Sequence, residues 1–420
     1  MSKLVFPKAA CSLSLILITL LTASIAPAGS FKTIHIFQAW DATSVIANLT
    51  SDSNGNLYGA SSAGGLQSTG TVFELIRPSA PRSDWTITVL YTFLGGTDGA
   101  NPSGSVIFDK AGNLYGSTSH GGNADLGTVF ELSPPLSGGG EWTHTVLWSF
   151  PPNGGNSPGG LVFGKGGVLY GMTAYGGLNG AGNIFSLSPP KTQGQPWKEK
   201  VLYTFSGGRD GQYPERFGAP LSFDGSGNLY GTTQYGGAYS AGTVFRLAHP
   251  NAPGGDWTQT VIYSFGSNPG DGTSPYGGLV FDRAGNLYGA TYNHPTIFEL
   301  SPPLDQSTPW TETILYTFSG LDDGSDIFSG PVFDRSGNLY GTAASDGQYN
   351  YGTVWELQPP TTPGGPWTAA LLHSFKRGND GAYPRAGLTV APNGTLYGVT
   401  PDGGQGFGNN GYGTAFKLVP

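Results

Sequence analysis

The chain has 420 residues, with 27 acidic and 19 basic side chains, one cysteine and 70 glycines. With Lys3 and Lys8 assigned to a leader, the remainder carries a formal charge of −10, which argues against nucleic-acid binding as its main role. Cys11 is the lone cysteine, so no disulfide can form within the chain and stability must come from burial and sheet hydrogen bonding.

Residues 1–28 have the layout of a secretory signal: Lys3 and Lys8, then an apolar core from Leu13 to Ile25, then Ala26-Pro27-Ala28 as a small-residue cleavage site. A bacterial lipoprotein cysteine would follow the apolar core, whereas Cys11 precedes it. An exported protein is expected, secreted or at the cell surface, with no membrane span after cleavage. Residues 29–420 then form one domain.

That domain is a tandem repeat. Gly-Asn-Leu-Tyr-Gly stands at 55–59, 112–116, 227–231, 285–289 and 337–341, with variants at 167–171 and 394–398. The seven motif tyrosines are spaced by 57, 55, 60, 58, 52 and 57 residues. A period of this length marks one supersecondary unit copied seven times.

Each unit predicts four strands. Strand a is a short apolar run such as Val106-Ile107-Phe108, followed by an Asp-x-x-Gly-Asn turn. Strand b is the pentapeptide with small residues after it. Strand c is Gly-Thr-Val-Phe-Glu-Leu at 70–75 and its copies. Strand d runs from a tryptophan to a phenylalanine. Alternation there puts Trp85, Ile87, Val89, Tyr91 and Phe93 on one face, with Leu90 among the threonines of the other. Four-stranded units in sevenfold repeat predict an all-β, seven-bladed β-propeller. The segment Phe31 to Phe37 resembles a strand d, and the chain stops after a strand c. The N-terminal strand is therefore expected to complete the last blade and close the circle, removing a sheet edge.

Loop lengths divide the two faces. Ten residues separate the last Leu of strand c from the next Trp in all six copies. The span from the strand-d Phe to the next motif Tyr varies from 20 to 25 residues. The b–c loop is shortened at Tyr292-Asn293-His294-Pro295 and lengthened between Asp402 and Tyr412. The d–a and b–c connections of a meander emerge together, so that face is the candidate binding surface.

Two sets of side chains populate it. The Asp-Gly pairs at Asp98, Asp210, Asp271, Asp323 and Asp380 are either turn formers or a circle of carboxylates for a sugar or for calcium. No copy has the spacing of a dedicated calcium loop, so no cofactor is assigned. The aromatics Trp40, Tyr175, Tyr213, Tyr235, Tyr239, Tyr276, Tyr292, Tyr383 and Tyr412 suit stacking on sugars or peptide, or packing of the loops on themselves. The six histidines show no metal-ligand spacing. No serine elbow or phosphate loop is present. The recurring Glu74, Glu131, Glu299 and Glu356 read as structural because they follow the repeat.

The Asp-x-x-Gly-Asn-Leu-Tyr turn resembles NHL-type propeller repeats. The longer pattern adds Gly-Thr-Val-Phe-Glu-Leu, Ser-Pro-Pro, Trp and Leu-Tyr-Thr-Phe. It resembles the GloVer "choice-of-anchor" tandem-repeat family of secreted bacterial proteins, clearly so over 110–135, 195–206 and 225–247. The resemblance implies an exported repeat protein and supplies no catalytic residues. Many relatives add a C-terminal sorting anchor. This sequence ends at Lys417-Leu418-Val419-Pro420, which shifts the expectation towards free secretion. The leading expectation is a monomeric, non-enzymatic propeller binding an extracellular glycan or protein. The alternatives are a carbohydrate-active or quinoprotein-like enzyme with an axial site, and a purely structural envelope protein.

Overall fold

The structure, a computed structural model, describes residues 29–420 apart from 81–82, 137–138, 153, 193, 215–217, 253, 304–308, 363 and 407–410. The leader expected at 1–28 lies outside the described residues. Seven antiparallel sheets follow one another as blades. Blade 1 has strand a at Thr50–Ser51, b at Leu57–Ser61, c at Thr71–Ile76 and d at Thr86–Thr92. Blades 2 to 6 repeat this order and end on Thr143–Ser149, Lys198–Thr204, Thr258–Ser264, Thr311–Thr317 and Thr368–Ser374. Blade 7 takes strand a at Thr389–Val390, b at Leu396–Thr400 and c at Thr414–Val419, and its outer strand is Ser30–Ile36. The N-terminal strand pairs from Ser30 opposite Val419 to Ile36 opposite Thr414, closing the circle as expected.

The a–b turn is built by its aspartate. Asp52 Oδ1 accepts from the backbone N–H of Asn54 and Asn56, each at 2.8 Å. Asp109, Asp224, Asp282 and Asp334 do the same in their blades. The motif tyrosine donates its hydroxyl back to this corner. Tyr58 donates to Glu74 at 2.7 Å, and the Tyr340 hydroxyl lies 2.9 Å from Glu356 and 3.2 Å from Asp334. The strand-c glutamates are thus part of the scaffold wherever they meet the tyrosine.

The core lies between blades rather than within them. Between blades 1 and 2, Tyr58, Val72, Leu90 and Phe93 meet Val106, Leu114, Phe130 and Leu132. One edge-on aromatic pair marks each of the seven junctions, Phe93–Phe130 at 5.1 Å and Phe37–Phe73 at 5.3 Å among them. Such pairs add about 0.5–1.5 kcal/mol beyond area burial.

The outer strands depart from strict alternation. Phe73 faces Val89 while Val72 faces Tyr91, so Leu90 is an extra residue in the ladder. Every other outer strand shifts at the equivalent place. The bulge turns the strand over. Trp85 and Ile87 pack towards blade 7, whereas Leu90, Tyr91 and Phe93 pack towards blade 2. Leu90, apolar among threonines, is its visible sign in the sequence.

Candidate functional site

The d–a and b–c loops share one face and pair with each other there, through bridges such as Gln212 to Tyr235 and Ala382 to Asp402. At an equivalent place, each d–a loop has a non-glycine residue with positive φ: Ser44, Asn101, Ser157, Tyr213, Ser274, Asp326 and Tyr383, all between 53° and 57°. For a bulky side chain this backbone is strained. An inter-blade hydrogen bond offsets the strain: Tyr213 N–H donates to Ala181 O at 2.9 Å, and Tyr383 N–H to Tyr351 O at 2.9 Å.

Tyr175, Tyr213, Tyr235, Tyr276 and Tyr292, all expected on this face, come together. Tyr175 lies edge-on to Tyr213 at 5.1 Å, and Tyr213 to Tyr235 at 6.0 Å. Gln234 Nε2 bridges the Tyr235 and Tyr276 hydroxyls. Tyr276 and Tyr292 are 5.2 Å apart, and both approach Phe328. The Arg385 guanidinium stands 5.5 Å over the Phe328 ring. The result is a continuous aromatic arc from blade 3 to blade 6. Tyr175 and Tyr235 are each 38 % exposed, so the arc is both packed and accessible. Phe328 and Gln234 were missed in the sequence. Phe328 had a signal: it stands two residues after Asp326, as Tyr276 stands two after Ser274 at the equivalent place of the neighbouring d–a loop.

The arc borders the axis. Phe328 and Arg385 also line a cavity of about 190 Å³ that Asn48, Ser105, Gly218 and Gly278 enclose from other blades. Drug-sized ligand pockets are usually about 300–1,000 Å³. Glycine backbones narrow this one: Gly278 and Gly330 both line it, and a Cβ on Gly330 would overlap Gly278 O.

The other aromatics stand apart from the arc. Trp40 is 61 % exposed and Tyr239 58 % exposed, each on its own loop. Tyr383 pairs with Tyr351 at 5.7 Å, and Tyr412 packs against the junction of blades 7 and 1.

Each Asp-Gly carboxylate is engaged at its own blade's outer strand. Asp98 accepts from Tyr91 Oη at 2.7 Å and Leu94 N at 2.8 Å. Asp323 accepts from Tyr316 and Ser319, and Asp210 from Tyr203 and Ser206. His373 replaces the tyrosine before Asp380 at 3.0 Å, and His35 before the buried Asp41 at 3.1 Å. Burial and the adjoining carboxylates push the Tyr91, Tyr203 and Tyr316 phenols up. These aspartates hold turns, in separate blades. Among the described residues no group of three or more His, Cys, Asp or Glu could hold a metal ion.

One of these corners differs. Between blades 4 and 5, the Tyr263 hydroxyl lies 3.0 Å from Asp271 Oδ1 and 2.6 Å from Glu312 Oε2. One hydroxyl proton cannot serve both carboxylates, and Glu312 Oε1 is buried with no partner. Burial, reinforced by the Asp271 carboxyl, pushes Glu312 up to about 8. The folded chain therefore keeps a proton that the unfolded chain releases near the ordinary glutamate value. Stability from this group is present at low pH and falls as pH rises from about 4.3 through about 8. Glu312→Gln should flatten that part of a stability–pH profile measured by urea unfolding. An unchanged slope in the variant would assign the dependence elsewhere.

The sequence model of the Gloeobacter/Verrucomicrobia repeat matches residues 22–217 and 291–420, and the chain belongs to that family. No curated protein matches it in sequence. Its fold is similar to virginiamycin B lyase from Staphylococcus aureus, at 12 % identity and TM-score 0.55 over 93 % of this chain and 99 % of that one. It is also similar to the extracellular domain of a putative one-component system from B. thetaiotaomicron, at 12 % identity and TM-score 0.54. That match covers 95 % of this chain and 42 % of the other.

Proposed function

We propose that the protein is an exported, non-enzymatic propeller that binds an extracellular glycan along the arc Tyr175–Tyr213–Tyr235–Tyr276–Tyr292–Phe328. The observation that carries this is the continuity of the arc across four blades on the face whose loops vary. Sugar rings present apolar C–H faces to aromatic π-systems, and the phenol and amide groups beside them accept or donate to the hydroxyls. Export is supported by the leader pattern and by the extracellular setting of one structural neighbour. The lyase neighbour keeps an enzymatic role in view, and that role would need unique polar groups converging on the axis.

The test is a glycan array with purified protein, with and without chelator, followed by Tyr213→Gly. Glycine is at ease at φ 56°, so the variant should unfold within a few degrees of wild type while glycan affinity falls at least tenfold. Retained affinity in Tyr213→Gly, or an array with no binding, would overturn the proposal. Chelator sensitivity would give calcium a part in it.

A further inference from the structure

The face opposite the arc has constant loop lengths, but blade 4 departs from the repeat there in chemistry. Blades 2 and 5 read Glu131-Leu132-Ser133-Pro134 and Glu299-Leu300-Ser301-Pro302, whereas blade 4 reads Arg246-Leu247-Ala248-His249. In blades 2 and 5 the serine hydroxyl donates to the glutamate at 3.0 and 3.1 Å. In blade 4 a cation replaces the anion, and the hydroxyl is gone.

The guanidinium that results is under-used. Arg246 Nε is buried with no hydrogen-bond partner, and Arg246 makes no ion pair among the described residues. The nearby Asp224 is occupied by its own turn, accepting from Ser226 N, Asn228 N, Asn228 Nδ2 and Tyr230 Oη. A buried donor left unsatisfied is costly unless something fills it. Beside it opens a groove of about 720 Å³, lined by Asn228, Arg246, His249, Asn251, Asp256 and Thr258. His249 is anchored through its backbone N–H to Asn228 Oδ1 at 2.9 Å, and its ring stands edge-on to Trp257 at 5.0 Å.

We propose that this groove is a second ligand site, for a sugar bearing one carboxylate, a uronic-acid residue of an acidic polysaccharide. The Arg246 side chain lines the groove, and a carboxylate there can take its two terminal Nη groups in the forked geometry that guanidinium favours. His249 supplies a second donor. Asn251 and Thr258 offer amide and hydroxyl groups to the sugar hydroxyls. Asp256 at the rim accepts from a hydroxyl and disfavours densely charged polyanions. The site does not depend on the aromatic arc, and either can fail without the other.

Trp257 beside His249 gives a fluorescence signal for the test. The mature protein is titrated with trigalacturonate, with neutral galactotriose and with inorganic sulfate, and binding is confirmed by calorimetry. Arg246→Glu restores the residue used at this position in blades 1, 2, 5 and 6 and controls for folding. Arg246→Gln removes the charge alone. The expected result is saturable trigalacturonate binding that weakens at least tenfold in both variants, with unchanged thermal unfolding and no binding of the neutral trimer. Absence of saturable binding, equal affinity in Arg246→Gln, or equal affinity for galactotriose would overturn the site. Sulfate binding as tightly as trigalacturonate would overturn the sugar assignment.

Discussion

Deleting residues 31–38 is expected to abolish the cooperative unfolding of the entire propeller, not to trim one strand from it. The deleted segment is the outer strand of blade 7, paired from Ser30 to Ile36 with the last strand of the chain. It also supplies aromatic side chains to two different junctions. Phe31 stacks on His373 at 3.7 Å, between blades 6 and 7. Phe37, fully buried, packs edge-on against Phe73 between blades 7 and 1. Removing one buried phenylalanine side chain costs about 3–5 kcal/mol, and whole domains are stable by only about 5–15 kcal/mol. The loss would also expose Thr414–Val419 as an unpaired edge open to aggregation. Circular dichroism during heating should show a broad, low transition in place of a sharp one. A peptide spanning 29–40, added in trans, should restore part of the sharp transition because it supplies the missing strand pairing and both junction aromatics. Wild-type unfolding in the truncated chain would show that the circle holds without its closure.

This closure was legible because it rests on periodicity. The copy number, the strand order and the missing last strand are counting facts, and a sevenfold repeat fixes architecture by itself. The aspartate turns were legible for a similar reason, since Asp and Gly act on the backbone beside them. The bulge at Leu90 was not, although its sign was present. A single apolar residue out of phase is ordinary in one strand and becomes evidence only when all seven outer strands carry it. The candidate site was legible in part. Loop-length variation put Tyr175, Tyr213, Tyr235 and Tyr292 on the face of the d–a and b–c loops, where the structure also has them, but it could not say which tyrosines meet. That depends on which blades are adjacent and on left-handed residues such as Tyr213, whose conformation no local pattern announces. Phe328 and Arg385 escaped because they share with Tyr276 a d–a loop position that carries Ser103 in another unit, so no repeat consensus marks it. The groove at Arg246 escaped for the opposite reason: its loop lengths match the repeat, and only side-chain identity differs.

The pentapeptide itself divides into two glycines with different physical duties, and substitution should separate them. In blade 2, a Cβ on Gly116 would lie 2.5 Å from Phe130 Cζ and 2.9 Å from its Cε1. Phe130 is fully buried and pairs with Phe93 across the blade junction, so it has nowhere to retreat. Gly116 has no unusual backbone conformation, and its constraint is steric alone. Gly116→Ala should therefore cost about 1–3 kcal/mol through overpacking. Phe130→Leu should cost a comparable amount by removing buried surface. The double variant should be more stable than the sum of the two predicts, because the shorter side chain makes room for the new methyl. Gly112 gives the contrast. It sits at φ +88° in the turn, and a methyl added there would meet nothing within 4 Å. Gly112→Ala should cost about 1 kcal/mol or more from backbone strain, and Phe130→Leu should do nothing to rescue it. Chemical denaturation of the single and double variants beside the wild type reads all of these quantities. Strict additivity of Gly116→Ala with Phe130→Leu would mean that the ring does not set the glycine. The repeat's most visible motif would then need a reason other than the passage of strand c's aromatic over strand b.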